Sequence, residues 1–136
     1  MKKSVLFVCY GNACRSVMAE ALARHYCGVT FEVASAGLDA LGYIPQETIE
    51  VLEEIGISTG GLQSKDLVDI EIGRFELIVN LTSHDLASFL STSFNGRVVN
   101  WHVRDPYMER IDSFRRTRDT IEWLITEKLP KWMEQE

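Results

Sequence analysis

Short apolar runs alternate along the chain with longer stretches in which apolar residues recur every three or four positions. The first run, Ser4-Val5-Leu6-Phe7-Val8, is continuous and rich in branched side chains, the pattern of a strand buried on both faces. Residues 4–9, 31–35, 77–81 and 97–101 are predicted as strands, and residues 16–27, 46–55, 83–90 and 112–132 as helices. Pro45 suits the first turn of the second helix and Gly56 its exit. Ser83 reads as the cap of the third, with Asp85 placed favourably for its dipole. In the last helix Phe114, Ile121, Leu124 and Ile125 share a core-facing spacing, while Arg115, Arg116, Arg118 and Asp119 fall mainly on a solvated face. Strand–helix alternation calls for a parallel sheet covered on both faces, a doubly wound α/β fold. Such sheets bind ligands beyond the carboxyl ends of their strands, which directs attention to the loop after the first strand.

At 136 residues the chain fits one domain, residues 1–136, large enough for a proper core. It shows no repeat, linker or low-complexity tract. A net charge of −6 argues against a nucleic-acid partner. No segment approaches the ~20 apolar residues of a membrane span, and Met1-Lys2-Lys3 leads straight into a strand. A cytoplasmic protein with no membrane partner is expected. An odd count of three cysteines fits a reducing compartment.

The loop itself, Cys9-Tyr10-Gly11-Asn12-Ala13-Cys14-Arg15-Ser16, joins a buried strand to a helix N-terminus. Unpaired amides and the positive end of the helix dipole converge there and favour an anion. Gly11 and Asn12 tolerate the left-handed conformations that turn successive N–H groups inward. Arg15 adds a planar fork of donors for two oxygens. These surroundings favour the thiolate of Cys9, and Ser16 is placed to donate to it. The chemistry expected is nucleophilic attack by Cys9 on a bound tetrahedral oxyanion.

Val5 to Glu20, read as Val-Leu-Phe-Val-Cys-Tyr-Gly-Asn-Ala-Cys-Arg-Ser-Val-Met-Ala-Glu, resembles the signature of the low-molecular-weight protein tyrosine phosphatases and of the arsenate reductases that share their fold. Ser35-Ala36-Gly37 and Asp105-Pro106-Tyr107 resemble two further segments of the family, so the likeness spans nearly the whole chain. It implies a four-stranded, flavodoxin-like sheet of the phosphotyrosine phosphatase I type. It further implies an oxyanion loop made by Tyr10, Gly11, Asn12, Ala13, Cys14, Arg15 and Ser16, with Asn12 braced by Ser35. Val17 stands where the phosphatases usually have proline, Met108 where many carry a second tyrosine, and Tyr43 is the one aromatic residue offered near the substrate slot.

Asp105 has two readings. An Asp-Pro pair is commonly a turn, whereas the resemblance implies a general acid that protonates the leaving oxygen and later serves as base. Tyr107 either flanks a planar substrate or is a plain loop tyrosine. Cys14 is either a partner for reversible oxidation of Cys9 or a small thiol supporting the loop. Cys27 reads as packing, and a zinc site from Cys9, Cys14, His25 and Cys27 lacks paired short-spaced ligands and would consume the nucleophile. His84 and His102 read as surface or supporting residues.

The reading expected is a cysteine-dependent phosphatase without metal or organic cofactor, acting on phosphotyrosine in a phosphoprotein or on a small aryl phosphate through a phosphocysteine. The alternative is reduction of arsenate in the same loop. Thioredoxin-coupled reductases of this fold carry two relay cysteines after the third strand, where this chain has Leu81-Thr82-Ser83-His84. A reductase would then draw on Cys14 or on an external small thiol such as glutathione or mycothiol. A binding module that kept the cradle without turnover is disfavoured, since binding needs neither a thiolate nor a proton donor.

Overall fold

The computed structural model describes residues 3–90 and 94–133. Four parallel strands, β1 (Lys3–Cys9), β2 (Phe31–Gly37), β3 (Leu77–Asn80) and β4 (Arg97–Asn100), form one sheet in the order β2-β1-β3-β4. The helices are α1 (Arg15–Cys27), α2 (Gln46–Glu53), α3 (Ile111–Glu127) and α4 (Leu129–Met133). The chain leaves β1 toward β2 on one side and later returns to β3 on the other, so strand order reverses at the carboxyl end of β1. No helix among the described residues is long and apolar enough to cross a membrane.

The continuous apolar run of β1 is explained by its central place. Val5 and Phe7 point into a core shared with α1, α2 and α3, and Leu6 and Val8 into a second core on the opposite face. β3 follows the same alternation, with Leu77 and Val79 on the helical side and Ile78 on the other. That opposite face is covered by short 3₁₀ turns (Leu67–Asp69, Ile72–Arg74 and Leu86–Phe89), which supply Leu67, Ile72 and Leu86.

Three expectations are corrected. Residues 83–90 form no α-helix, only the Leu86–Phe89 turn, capped by Asp85, whose Oδ1 accepts from the Ala87 N–H at 2.9 Å. Side chains satisfy the preceding backbone locally: Asn80 Nδ2 donates to the His84 carbonyl at 2.8 Å, and Thr82 Oγ1 accepts from the His84 N–H at 3.0 Å. Such bonds compete with helix initiation. The last helix divides after Glu127 because Pro130 has no N–H to donate and its ring crowds the carbonyl four residues back. Arg118, expected on the solvated face, is buried between α2 and α3, and donates to the Val51 carbonyl at 2.9 Å and to Glu54 Oε1 at 2.7 Å.

Candidate active site

Cys9 is the last residue of β1 and Arg15 the first of α1, so the loop between them bridges a strand end and a helix start at the point where strand order reverses. The segment after β2 runs alongside and pins its carbonyls. Leu38, Asp39 and Leu41 donate their N–H groups to the carbonyls of Cys9 (3.1 Å), Tyr10 (2.9 Å) and Gly11 (2.8 Å). Ser64 Oγ also donates to the Gly11 carbonyl, at 3.1 Å, and Thr48 Oγ1 to that of Ala13, at 3.0 Å. Carbonyl and amide point in opposite directions across a trans peptide plane. Anchoring these carbonyls outward therefore turns the amides of Tyr10, Gly11, Asn12 and Cys14 away from the anchors and keeps them available to an anion. Close apposition requires Gly37, where a Cβ would sit 2.8 Å from both the Asn12 nitrogen and the Tyr10 carbonyl oxygen.

Asn12 adopts the left-handed conformation, with φ of 45°, and its buried amide fixes the loop from below. Oδ1 accepts from the Lys65 N–H at 2.7 Å, which assigns Nδ2 as the donor to Ser16 Oγ (2.7 Å) and Ser35 Oγ (2.9 Å). Ser35 Oγ donates in turn to Glu20 Oε1 at 2.5 Å, and Glu20 is held by Arg24 at 2.7 Å. Since Ser16 Oγ accepts from Asn12, its hydroxyl proton is directed at Cys9 Sγ, 2.9 Å away. That contact holds the sulfur in place at the end of β1. Asn12, Ser16 and Ser35 thus support the loop from the interior and do not line the cavity at Cys9.

Arg15 reaches across the sheet ends. Its Nη1 donates to the carbonyls of Leu81 (2.8 Å) and Val103 (3.2 Å), and Nη2 lies 3.5 Å from Asp105 Oδ2. Nε is buried and has no hydrogen-bond partner among the described residues. A buried N–H left without a partner is costly, and beside the loop amides it is a natural donor to an oxyanion. Asp105 is half-exposed at the rim, its Oδ1 accepting from the Tyr107 N–H at 3.0 Å, so the Asp-Pro pair makes a turn and also carries a carboxylate to the cavity.

That cavity, about 310 Å³, is walled by Cys9 and the loop on one side, by Ala40 and Leu41 on another, and by Asp105 and Tyr107 at the mouth. Tyr43, an exposed residue, meets Tyr107 hydroxyl to hydroxyl at 3.0 Å. A larger cavity of about 550 Å³ adjoins it and shares Tyr10, Arg15 and Asp105, but Cys9 does not line it. Cys9 therefore faces the smaller one. Cys14 faces the smaller cavity, and burial pushes its thiol up to about 12, the hydroxyl of Thr48 offsetting part of the rise. Cys27 lies at the far end of α1, half-buried, and desolvation raises it too. Among the described residues no group of three or more His, Cys, Asp or Glu is arranged to hold a metal ion.

The sequence reading missed Thr48, Ser64, Lys65 and Glu20. Glu20 lies inside the recognised motif, but the other three come from distant segments with no local signal, because their part is only to brace loop backbone. His84 and His102, read as surface or supporting residues, line the larger cavity.

Residues 4–136 match the family model described as low molecular weight phosphotyrosine protein phosphatase. Arsenate reductase of Bacillus cereus is 39% identical over 88% of this chain and 89% of its own, and that of Brevibacillus brevis 37% over the same shares. Among solved structures, an arsenate reductase in the phosphate binding state superposes with a TM-score of 0.83 at 26% identity, covering 95% of this chain and 98% of its own. The tyrosine phosphatase AmsI of Erwinia amylovora gives 0.82 at 26% identity, covering 98% and 93%. With residues 4–136 matched, this chain belongs to the low-molecular-weight phosphotyrosine protein phosphatase family, whose fold is shared by solved phosphatases and arsenate reductases.

Proposed function

We propose that this chain is an arsenate reductase that uses Cys9 as nucleophile and takes its electrons from an external small thiol. The observation that favours arsenate over a phosphoester is the likeness to the Bacillus and Brevibacillus arsenate reductases across 88% of the chain. Arsenate matches phosphate in shape and charge, so the loop amides and the Nε and Nη2 donors of Arg15 hold its oxygens while Cys9 attacks arsenic. Asp105 at the rim supplies the proton that lets an oxygen leave as water. The Ser16 hydroxyl holds the sulfur in place for that attack.

Two observations favour a second thiol from outside the protein. Cys14 is buried with its thiol held protonated, which makes it a poor nucleophile at neutral pH. Cys27 lies a whole helix away, about 18 Å along α1 at ~1.5 Å per residue. A thiol of the glutathione or mycothiol type completes the cycle.

A second reading, hydrolysis of phosphotyrosine or another aryl phosphoester through a phosphocysteine, is favoured by one feature. The Cys9 cavity extends beyond the loop along Leu41 and Tyr107, an apolar wall that an aryl ring fits and bare arsenate does not need. Asp105 would then protonate the leaving phenoxide.

The deciding experiment measures arsenite release from arsenate with glutathione, beside p-nitrophenyl phosphate turnover, for the parent and Cys9→Ser. Arsenite release that vanishes in Cys9→Ser is expected. Turnover of the aryl phosphate without arsenite from any thiol would transfer the assignment to the phosphatase. Retention of either activity in Cys9→Ser would remove Cys9 from the mechanism.

A further inference from the structure

We propose that the larger cavity, lined by Thr82, Ser83, His84, His102 and Arg104 and joined to the Cys9 pocket through Arg15, binds a carboxylate-bearing small thiol of the glutathione type that regenerates Cys9. The assignment rests on the reductase reading and names its co-substrate site.

Position comes first. The two cavities share Tyr10, Arg15 and Asp105, so a ligand seated in the larger one lies next to the Cys9 pocket and needs only to extend its thiol past Arg15 to reach the sulfur. At about 550 Å³ the space accommodates a tripeptide-sized molecule. Lining chemistry selects the class. Arg15, Arg104 and two imidazoles face one carboxylate, that of Asp105, in a protein whose net charge is −6. Arg104 spends one Nη2 bond of 2.8 Å on Glu109, and its guanidinium has no other hydrogen bond among the described residues. The His84 ring packs against Tyr10 with centroids 5.9 Å apart, which ties the floor of this cavity to the residue after the nucleophile. Local side-chain bonds of Asn80 and Thr82 hold residues 82–84 in shape, so the wall is preformed. Carboxylates are what such donors recognise. A neutral sugar thiol gains nothing from them.

The chemistry balances. Cys9 displaces water from protonated arsenate, forming an S–As bond with arsenic still pentavalent. The thiolate of the bound co-substrate attacks Cys9 Sγ. An S–S bond forms, the S–As bond breaks with its electron pair left on arsenic, and arsenite departs after taking a proton. A second molecule of the same thiol attacks the mixed disulfide, frees the Cys9 thiolate and leaves as the symmetric disulfide. Net, one arsenate and two thiols give arsenite, disulfide and water.

Arsenite release with dithiothreitol, a neutral thiol, tests the reductase reading alone. Steady-state rates are then compared for glutathione and its dimethyl ester, in the parent and in the double variant His102→Ala, Arg104→Gln. Loss of the carboxylate contacts is expected to raise the KM for glutathione about tenfold, with the KM for arsenate and the rate with dithiothreitol unchanged. The ester should behave with the parent as glutathione does with the variant. Equal KM values for glutathione and ester in the parent would overturn the site, even with arsenite produced. No arsenite with dithiothreitol would overturn the reading and the regenerating role together. S-methylglutathione, which cannot react, supplies a readout independent of turnover. It should shift the imidazole NMR signals of His84 and His102, and unmoved signals would overturn the site on their own.

Discussion

Asn12 does three jobs with one amide: its backbone takes the left-handed turn, its Oδ1 holds Lys65, and its Nδ2 orients both Ser16 and Ser35. Replacement by alanine deletes three buried bonds and strains the backbone, a loss of about 3 kcal/mol. Glycine accepts the turn but restores none of the bonds. Urea melts should therefore find Asn12→Gly the more stable of the two, while turnover falls at least tenfold in both because Ser16 loses its orienting donor. Turnover restored by glycine would show that backbone shape, not the hydrogen-bonded chain, supports Cys9. Cys14 yields a pH dependence. Its folded thiol is pushed up to about 12 by burial, whereas the unfolded thiol ionises near ~8.5. The native state then holds a proton that the unfolded chain has lost. The stability this contributes is complete below about pH 8.5 and is lost as pH rises toward 12. Thermal scans should show the parent losing stability above about pH 9 more steeply than Cys14→Ala.

The junction of α2 and α3 rests on Arg118, whose charge enters the interface because the helix stripe of Phe114, Ile121 and Ile125 carries it there and Val51 and Glu54 receive it. Arg118→Met keeps the stem packed but strands the Val51 carbonyl, and denaturant unfolding should report a loss of about 2 kcal/mol. Glu54 is held below the usual carboxylate range, chiefly by its bonds to Arg115 and then by Arg118. Its contribution is present above the ordinary glutamate value and disappears as pH falls through the lowered one. The difference between parent and Glu54→Gln should accordingly close in acid. Elements with strong local determinants match the sequence pattern: β1, α1 and the Pro45 entry to α2 lie where their apolar periods and caps put them. Residues 83–90 do not, because Asn80 and Thr82 recruit the local backbone into turns. No window of apolar periodicity registers that competition.

Three strand ends meet at the site: Cys9 follows from β1, while Arg15 ties down the carbonyls of Leu81 after β3 and Val103 after β4. An anion bound there bridges the carboxyl edge of the whole sheet and should stabilise the molecule by mass action, by about 2.7 kcal/mol at a concentration a hundredfold above Kd. Thermal scans with phosphate or arsenate should show this rise in the parent and in Cys9→Ser, which keeps the cradle. Arg15→Met should lose it. A shift retained without Arg15 would place the anion elsewhere.

Cys9, Arg15, Ser16 and the helix that follows are contiguous, so local chemistry alone points to an anion-binding loop between a buried strand and a helix N-terminus. The alternation of elements likewise implies a parallel sheet, since parallel strands need crossover connections. Folding in three dimensions settled the rest. Thr48, Ser64, Lys65 and Asp105 reach the loop from segments tens of residues away, and each acts by meeting a backbone group or charge whose position the linear chain does not encode. Burial of Arg118 and the cavity at His84 and His102 have the same origin. A side chain's type is written locally, but its partner and its exposure to water are properties of the packed whole.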